Sequence, residues 1–413
     1  MTSLLLKNVT LDGAVTNILV RDGRFADLHA DADAAADEVY DASNQAIVPS
    51  FFNTHTHAAM TLLRGYADDM PLFTWLNDHI WPFEAKMKPQ DIYNGSRLAI
   101  LEMIRSGTTF FCDMYWMVEE TVRAVEEMGI RAAIGVSLMD RLGPEQIKHD
   151  LKFLADWKSP APGRIELVVA PHAVYTVGPE LMQQCAEAAR ANGQRLTLHV
   201  SETSQEVADC VRDYGMSPVR WLDKLGVLGP NVIAAHCVHV DPEEMAILAE
   251  RGVTIAHNPC SNMKLASGMC PAAKLAAAGC NVTLGTDGTS SNNNLDMREE
   301  MKFASLLAKV TGDSETVPAA EVLQWATING ARAFGLEAGI IAPGALADAV
   351  LLDLSNERLT PNYNLVSNWV YAADSRAVKS VLCDGKFVMK NGDVPGEEEI
   401  LACARESVAR LTA

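Results

Sequence analysis

A chain of 413 residues, 48% hydrophobic and 21% charged, has enough apolar material for a large core and too little charge for general disorder. With 34 Lys and Arg against 53 Asp and Glu the net charge is −19, which repels polyphosphate backbones and favours free small molecules over nucleic acid as partners. The opening MTSLLLKN has neither a charged leader nor a long apolar core, and no later run approaches the roughly 18 apolar residues of a membrane span. The expectation is a soluble cytoplasmic protein without membrane partners, and a homo-oligomer is compatible with it. Nine cysteines scattered from Cys112 to Cys403 without a C-x-x-C pair read as reduced, packed thiols.

Short alternating segments come first: LLLKNVTL, NILVRDGRFADL and AIVPS, with Asp12-Gly13 and Asp22-Gly23 as hairpin turns, so residues 1–50 read as β-structure. From Phe51 apolar strands alternate with amphipathic stretches, the rhythm of βα units. Eight strands can be placed: IVPSFFN, TTFFCD, RAAIGVSL, IELVVAP, RLTLHV, NVIAAH, VTIAHN and NVTLGT. Eight is the closure number of a (β/α)8 TIM-type barrel. Helices are expected between them, among others at 89–106, 118–128, 179–192, 218–225, 242–251 and 272–279, several opening on Pro and closing near Gly. After Gly335 the strand rhythm returns with DAVLLDL and AVKSVLCDGKFVMKNG, the latter turning at Asp384-Gly385, and 397–411 reads as a surface helix. The expected α/β architecture is a catalytic barrel at 51–339 and a composite β-sandwich domain, with its C-terminal helix, built from 1–50 and 340–413.

The chemistry-bearing residues share a position. His55 and His57 follow the first strand, His172 the fourth, His199 the fifth, His236 the sixth, His257 the seventh and Asp287 the eighth. In an eight-stranded barrel these sites lie on one rim, the rim that carries active sites. His55-x-His57 alone occurs in proteins that bind nothing. Joined by His199 and Asp287 it offers three imidazoles and a carboxylate, a set suited to one divalent metal per subunit, expected to be Zn²⁺, with Fe²⁺ as the alternative. Glu202, in HVSE, is either a solvated loop carboxylate or a proton shuttle beside the substrate. The rim position of His236 favours contact with the water that such a metal activates over a purely structural role, and His239 is not expected to share it. In GTDGTSSNNN the glycines permit close approach to a ligand and Ser291 offers it a polar contact. His257 orients a loop or touches substrate with equal weight.

Read together, PSFFNTHTH, LLRGYADDMPLFTWLNDHIWPFEAKM, PHAVYT, HVSE, AHCVH, HNPCSN and GTDGTSSNN resemble the methylthioadenosine/S-adenosylhomocysteine deaminases of the amidohydrolase superfamily over nearly the whole chain. The resemblance implies a barrel with a sandwich from both termini and a single divalent metal on His55, His57, His199 and Asp287. It places Glu202, His236 and Asp287 at the reacting centre. By the same resemblance Glu84 accepts hydrogen bonds from ribose hydroxyls and His172 faces a purine ring nitrogen; without it Glu84 would read as an ordinary helix-start carboxylate. The implied reaction is attack of a metal-activated hydroxide on the amine-bearing carbon of a purine nucleoside, with Asp287 taking the proton and Glu202 protonating the ring. One departure stands out. The family's homocysteine-binding arginines follow strand three, where this chain reads GVSLMDRLGPEQ with Val136 and only Arg141 nearby. Uncharged 5′ groups, against Met114, Trp116, Met117 and Met139, are therefore expected to be preferred. The H-x-E and P-C-x-x-C strings of cytidine-type deaminases are absent. The runner-up readings are a deaminase or dechlorinase of guanine, cytosine or a triazine, and a non-catalytic barrel, which would usually show an eroded metal set.

Overall fold

The computed structural model describes residues 3–413; Met1 and Thr2, the start of the segment read as β-structure, lie outside the described residues. Each of the three Asp-Gly pairs puts two consecutive residues at positive φ: 48° and 83° at Asp12-Gly13, 49° and 76° at Asp22-Gly23, 53° and 72° at Asp384-Gly385. That backbone twists with its flanking strands and closes tight hairpins. The N-terminal strands Ser3–Leu11, Ala14–Arg21 and Arg24–Asp27 accordingly run antiparallel. Ala349–Asp353 pairs antiparallel with Gln45–Pro49, Val350 opposite Val48, so both ends of the chain contribute to one eight-stranded mixed sheet.

The second sheet is the barrel. Its strands are β1 (Phe51–His57), β2 (Thr108–Tyr115), β3 (Arg131–Leu138), β4 (Ile165–Pro171), β5 (Leu196–Val200), β6 (Val232–His236), β7 (Thr254–His257) and β8, which comes in two pieces, Asn281–Leu284 and Asp287–Gly288. All neighbours are parallel. The first piece of β8 pairs with β7 and the second with β1, Asp287 opposite Thr56 and Gly288 opposite His57, which closes the ring. Gly285 sits at the break, where a Cβ would lie 2.8 Å from the His55 carbonyl oxygen and would also strike the Asn258 amide. Only glycine lets the two strands approach this closely.

Inside the barrel Phe110 stacks on Phe52 at 5.0 Å and meets Phe334 at a tilt at 4.5 Å between ring centroids, and with Val168 and Ile233 they belong to one buried cluster. The pairing register of β1 slips between Asn53 and Thr56. The slip breaks strict alternation, so that Phe52 belongs to this plug while His55 and His57 share a face above it.

The two sheets are joined through Arg131, 2% exposed at the start of β3. Its Nε donates to Asp348 Oδ2 at 2.7 Å and its Nη2 to Asp384 Oδ1 at 2.8 Å. The C-terminal helix, Glu397–Thr412, packs against the barrel helix Pro89–Ser106. Arg97 forks onto Glu399 with two 3.0 Å bonds, Asn94 bonds Ser407 at 3.0 Å, and Arg410 pairs with Asp91. No helix among the described residues is long and apolar enough to cross a membrane.

Candidate active site

The C-terminal ends of the strands bring the rim residues together. His199 Nε2 lies 3.4 Å from His57 Nε2, and Asp287 Oδ1 lies 3.1 Å from His57 Nε2 and 3.5 Å from His55 Nε2. Ligands bound to zinc at roughly 2.0–2.2 Å stand roughly 3.3–3.5 Å apart at tetrahedral corners. His55, 1% exposed, has no hydrogen-bond partner on either ring nitrogen. A buried imidazole left so is costly unless something else takes its lone pair. His57 Nδ1 donates to the Met114 carbonyl oxygen at 2.8 Å and His199 Nδ1 to the His172 carbonyl oxygen at 2.7 Å. Both bonds fix the tautomer that turns an unprotonated Nε2 to the cluster. The donor set and the orphaned imidazole fit a single divalent metal.

Beside this cluster sits a second group. His236 Nε2 is 3.9 Å from Glu202 Oε2, and His236 Nδ1 is held at 2.8 Å by Asn262 Oδ1. Burial raises the Glu202 carboxyl above its ordinary range. Glu202 stands on a tight loop, because the buried Glu206 carboxylate accepts from the backbone N–H of Ser201 at 3.0 Å and of Glu202 at 2.7 Å. Three rim residues, Ser201, His236 and Asp287, hold φ of 50°, 73° and 60°, the strained backbone that clusters at functional sites.

His57, His199, Glu202, His236 and Asp287 border a cavity open to solvent, whose walls include Glu84, Tyr115, His172 and Trp75. Glu84 is 5% exposed and accepts from the Tyr115 hydroxyl at 2.7 Å. Burial pushes its carboxyl up to about 7, the Tyr115 bond only partly offsetting that. Burial also pushes His172 down to about 3, leaving it neutral, and its Nδ1 lies 2.9 Å from Thr176 Oγ1. A wider cavity adjoins the first and shares Trp81, Glu84, Trp116, Ser137 and Met139 with it. Arg141 lines this outer space, its guanidinium 4.8 Å above the Trp81 ring.

Glu84, His172, His199, Glu202, His236 and Asp287 thus meet at one cavity together with His57, and His55 lies beneath in the cluster. Met114, Trp116 and Met139 border it, and Met117 borders the outer space. Ser291 and His257 do not line the cavity. The Ser291 hydroxyl donates to Asp287 Oδ2 at 3.0 Å, as does that of Ser261 at 2.6 Å, and His257 is buried behind His236 with Nδ1 unpartnered. His239, bonded to the Ser267 carbonyl, lies outside the group. Sequence reading passed over Tyr115 and the wall formed by Leu72, Trp75 and Leu76. Tyr115 was findable, since it ends β2 on the same rim as the histidines.

Residues 46–388 match the model of the amidohydrolase family. The chain is 46% identical over 404 residues to the 5′-deoxyadenosine deaminase of Methanothermobacter thermautotrophicus, covering 96% of this chain and 95% of that one. It is 47% identical over 383 residues to the 5-methylthioadenosine/S-adenosylhomocysteine deaminase of Desulforamulus reducens, covering 91% and 88%. Among solved structures, a zinc-bound adenosine deaminase from Xanthomonas campestris superposes with a TM-score of 0.91 at 35% identity, over 100% of this chain and 98% of that one.

Proposed function

Because the chain belongs to the amidohydrolase family, we propose that it hydrolyses the amine from adenosine-type nucleosides, giving the inosine analogue and ammonia. The substrate is of the class that holds 5′-deoxyadenosine, 5′-methylthioadenosine, adenosine or S-adenosylhomocysteine. One observation carries this reading: a buried carboxylate without a salt-bridge cation, Glu84, shares a cavity with the His/Asp cluster and with the Glu202–His236 pair. The names of the relatives support it. Residues 51–339 are the catalytic unit, and 1–50 with 340–413 the flanking one. This division is supported by the switch of sheet between Pro49 and Phe51.

His55, His57, His199 and Asp287 would hold one divalent ion. Zinc is the choice supported by the zinc-bound neighbour. Such an ion supplies a Lewis acid that makes water nucleophilic at neutral pH. His236, with Nδ1–H committed to Asn262, presents its Nε2 lone pair to the attacking water and orients it. Asp287 accepts the proton that the water releases. Glu202, whose carboxyl burial raises above its ordinary range, is placed to give a proton to the ring nitrogen next to the amine-bearing carbon, which prepares that carbon for attack. The new C–O bond forms, the proton held by Asp287 passes to the amine, the C–N bond breaks to release ammonia, and the proton of the new C–OH returns to Glu202 as the carbonyl forms. Overall one water is consumed per amine released.

At the sugar end Tyr115 occupies Glu84 Oε1, leaving Oε2 to accept from the ribose hydroxyls. His172, kept neutral by burial and held through Nδ1 at Thr176, faces a purine ring nitrogen with its Nε2 edge. Metal analysis joined to an ammonia-release screen over purine nucleosides tests the whole reading. The expected result is one equivalent of divalent metal and turnover of 5′-deoxyadenosine and 5′-methylthioadenosine. Metal-free protein that is inert with every nucleoside would refute it.

A further inference from the structure

Glu84, Glu202 and His236 each find a partner in the protein, respectively Tyr115, Ser267 and Asn262. One fully buried polar atom of the cavity wall does not. Trp75 is 5% exposed, and its indole Nε1 is the buried side-chain polar atom of that wall left without a hydrogen-bond partner among the described residues. An indole N–H only donates, and a buried donor left unmet is penalised, so the position calls for an acceptor that comes from outside the chain.

The local structure explains how the ring gets there. Trp75 opens a six-residue π-turn, Trp75–Ile80, that directly continues the short helical turn Leu72–Thr74. Such widened turns recur at functional sites. Leu72, Trp75 and Leu76, three and four residues apart, share one face, and all three line the cavity. Of these three side chains only that of Trp75 carries a polar group, its indole N–H.

We propose that Trp75 is a substrate-binding residue whose indole N–H donates to a lone pair of the bound nucleoside, an inference that rests on the deaminase reading above. Glu84 takes the protons of the sugar hydroxyls and leaves their oxygen lone pairs open. Glu202 and His172 serve ring nitrogens of the six-membered ring. The furanose ring oxygen is a poor acceptor, so the acceptors left for Trp75 are N7 of the purine and the 2′ and 3′ oxygens.

The test uses the metal-loaded enzyme, with Trp75→Phe, which removes the donor, and Trp75→His, which keeps a ring N–H. kcat/KM is measured on 5′-deoxyadenosine and on its 7-deaza, 2′-deoxy and 3′-deoxy analogues. Trp75→Phe is expected to lower kcat/KM for the parent by about 5- to 10-fold, as befits one neutral hydrogen bond, and mainly through KM. The loss should vanish for the one analogue that lacks the acceptor, and Trp75→His should recover part of it. Equal losses on all four substrates, or equal losses in both variants, would reduce Trp75 to a matter of shape and overturn the inference. A wild-type enzyme inert on all four refutes the deaminase reading and takes this inference with it. An active wild type matched by Trp75→Phe refutes the inference alone.

Discussion

Replacing Glu84 by Gln separates what the buried carboxylate does for substrate from what it costs the fold. The side chain is 5% exposed, has one hydroxyl donor and lacks a salt-bridge cation, and burial raises its pKa from the ordinary 4.5 to about 7. The folded protein therefore keeps a proton that the unfolded chain releases, and stability on this account falls as pH rises from about 4.5 and levels off above about 7. The ionisation of Glu84 then costs about 3 kcal/mol. Gln keeps the shape and the Tyr115 bond and does not titrate. Thermal melts of the metal-loaded proteins should coincide near pH 5, with Glu84→Gln melting higher than wild type at pH 8. Function should move the other way. A carboxylate accepting from hydroxyls is worth about 1.5–3 kcal/mol, so the variant should lose roughly 10- to 150-fold in kcat/KM for ribonucleosides at pH 8 and much less on substrates without the 2′ and 3′ hydroxyls. Parallel melting differences at both pH values, or equal losses with and without the hydroxyls, would refute the buried-carboxylate reasoning.

His199→Ala should abolish both bound metal and activity, whereas Glu202→Gln should retain the metal and slow turnover by about 10²- to 10⁴-fold, the usual worth of a general acid–base group; metal content of the two variants is the check, and the opposite pattern would exchange their roles. At the 5′ end an apolar wall should favour 5′-methylthioadenosine and 5′-deoxyadenosine over S-adenosylhomocysteine, and Arg141, over the Trp81 ring in the outer cavity, is the expected partner of a substrate carboxylate. Arg141→Ala should widen that preference by about 10- to 100-fold in kcat/KM, and an unchanged ratio would remove Arg141 from the site. Arg131→Met leaves Asp348, 0% exposed, without its cation and should cost about 3–5 kcal/mol by denaturation, while a loss below about 1 kcal/mol would show that the clasp between the sheets carries little energy.

Local signals were enough for the elements and for most of the site. Asp-Gly pairs dictate hairpins through their backbone alone, and eight apolar runs separated by amphipathic stretches can satisfy their hydrogen bonds and bury both faces only as a parallel sheet covered by helices. Because such strands align, residues at their C-terminal ends converge whatever their distance along the chain. His55, His57, His199, His236 and Asp287 could therefore be grouped before any coordinate was known. Glu84 was legible only through resemblance, since a carboxylate near a helix start is ordinary by itself; the rim position of His172 was legible in the same way as that of the other histidines, and only its expected role came from resemblance.

Tertiary structure alone decided the rest, because it depends on which surfaces meet. No periodicity in IWPFEAKM or TTFFCDMYW shows that the Tyr115 hydroxyl reaches Glu84, or that the Trp75 indole is buried with no partner. The split of β8 around Gly285 follows from the crowding of Asn258 and His55, residues some 27 and 230 positions away. The C-terminal helix, amphipathic in sequence, could have covered either sheet, and its placement on the Pro89–Ser106 helix was settled by the Arg97–Glu399, Asn94–Ser407 and Arg410–Asp91 pairs. Sequence determines which faces need burial and which strand ends carry chemistry; side-chain partners across the barrel are chosen only when the chain closes on itself.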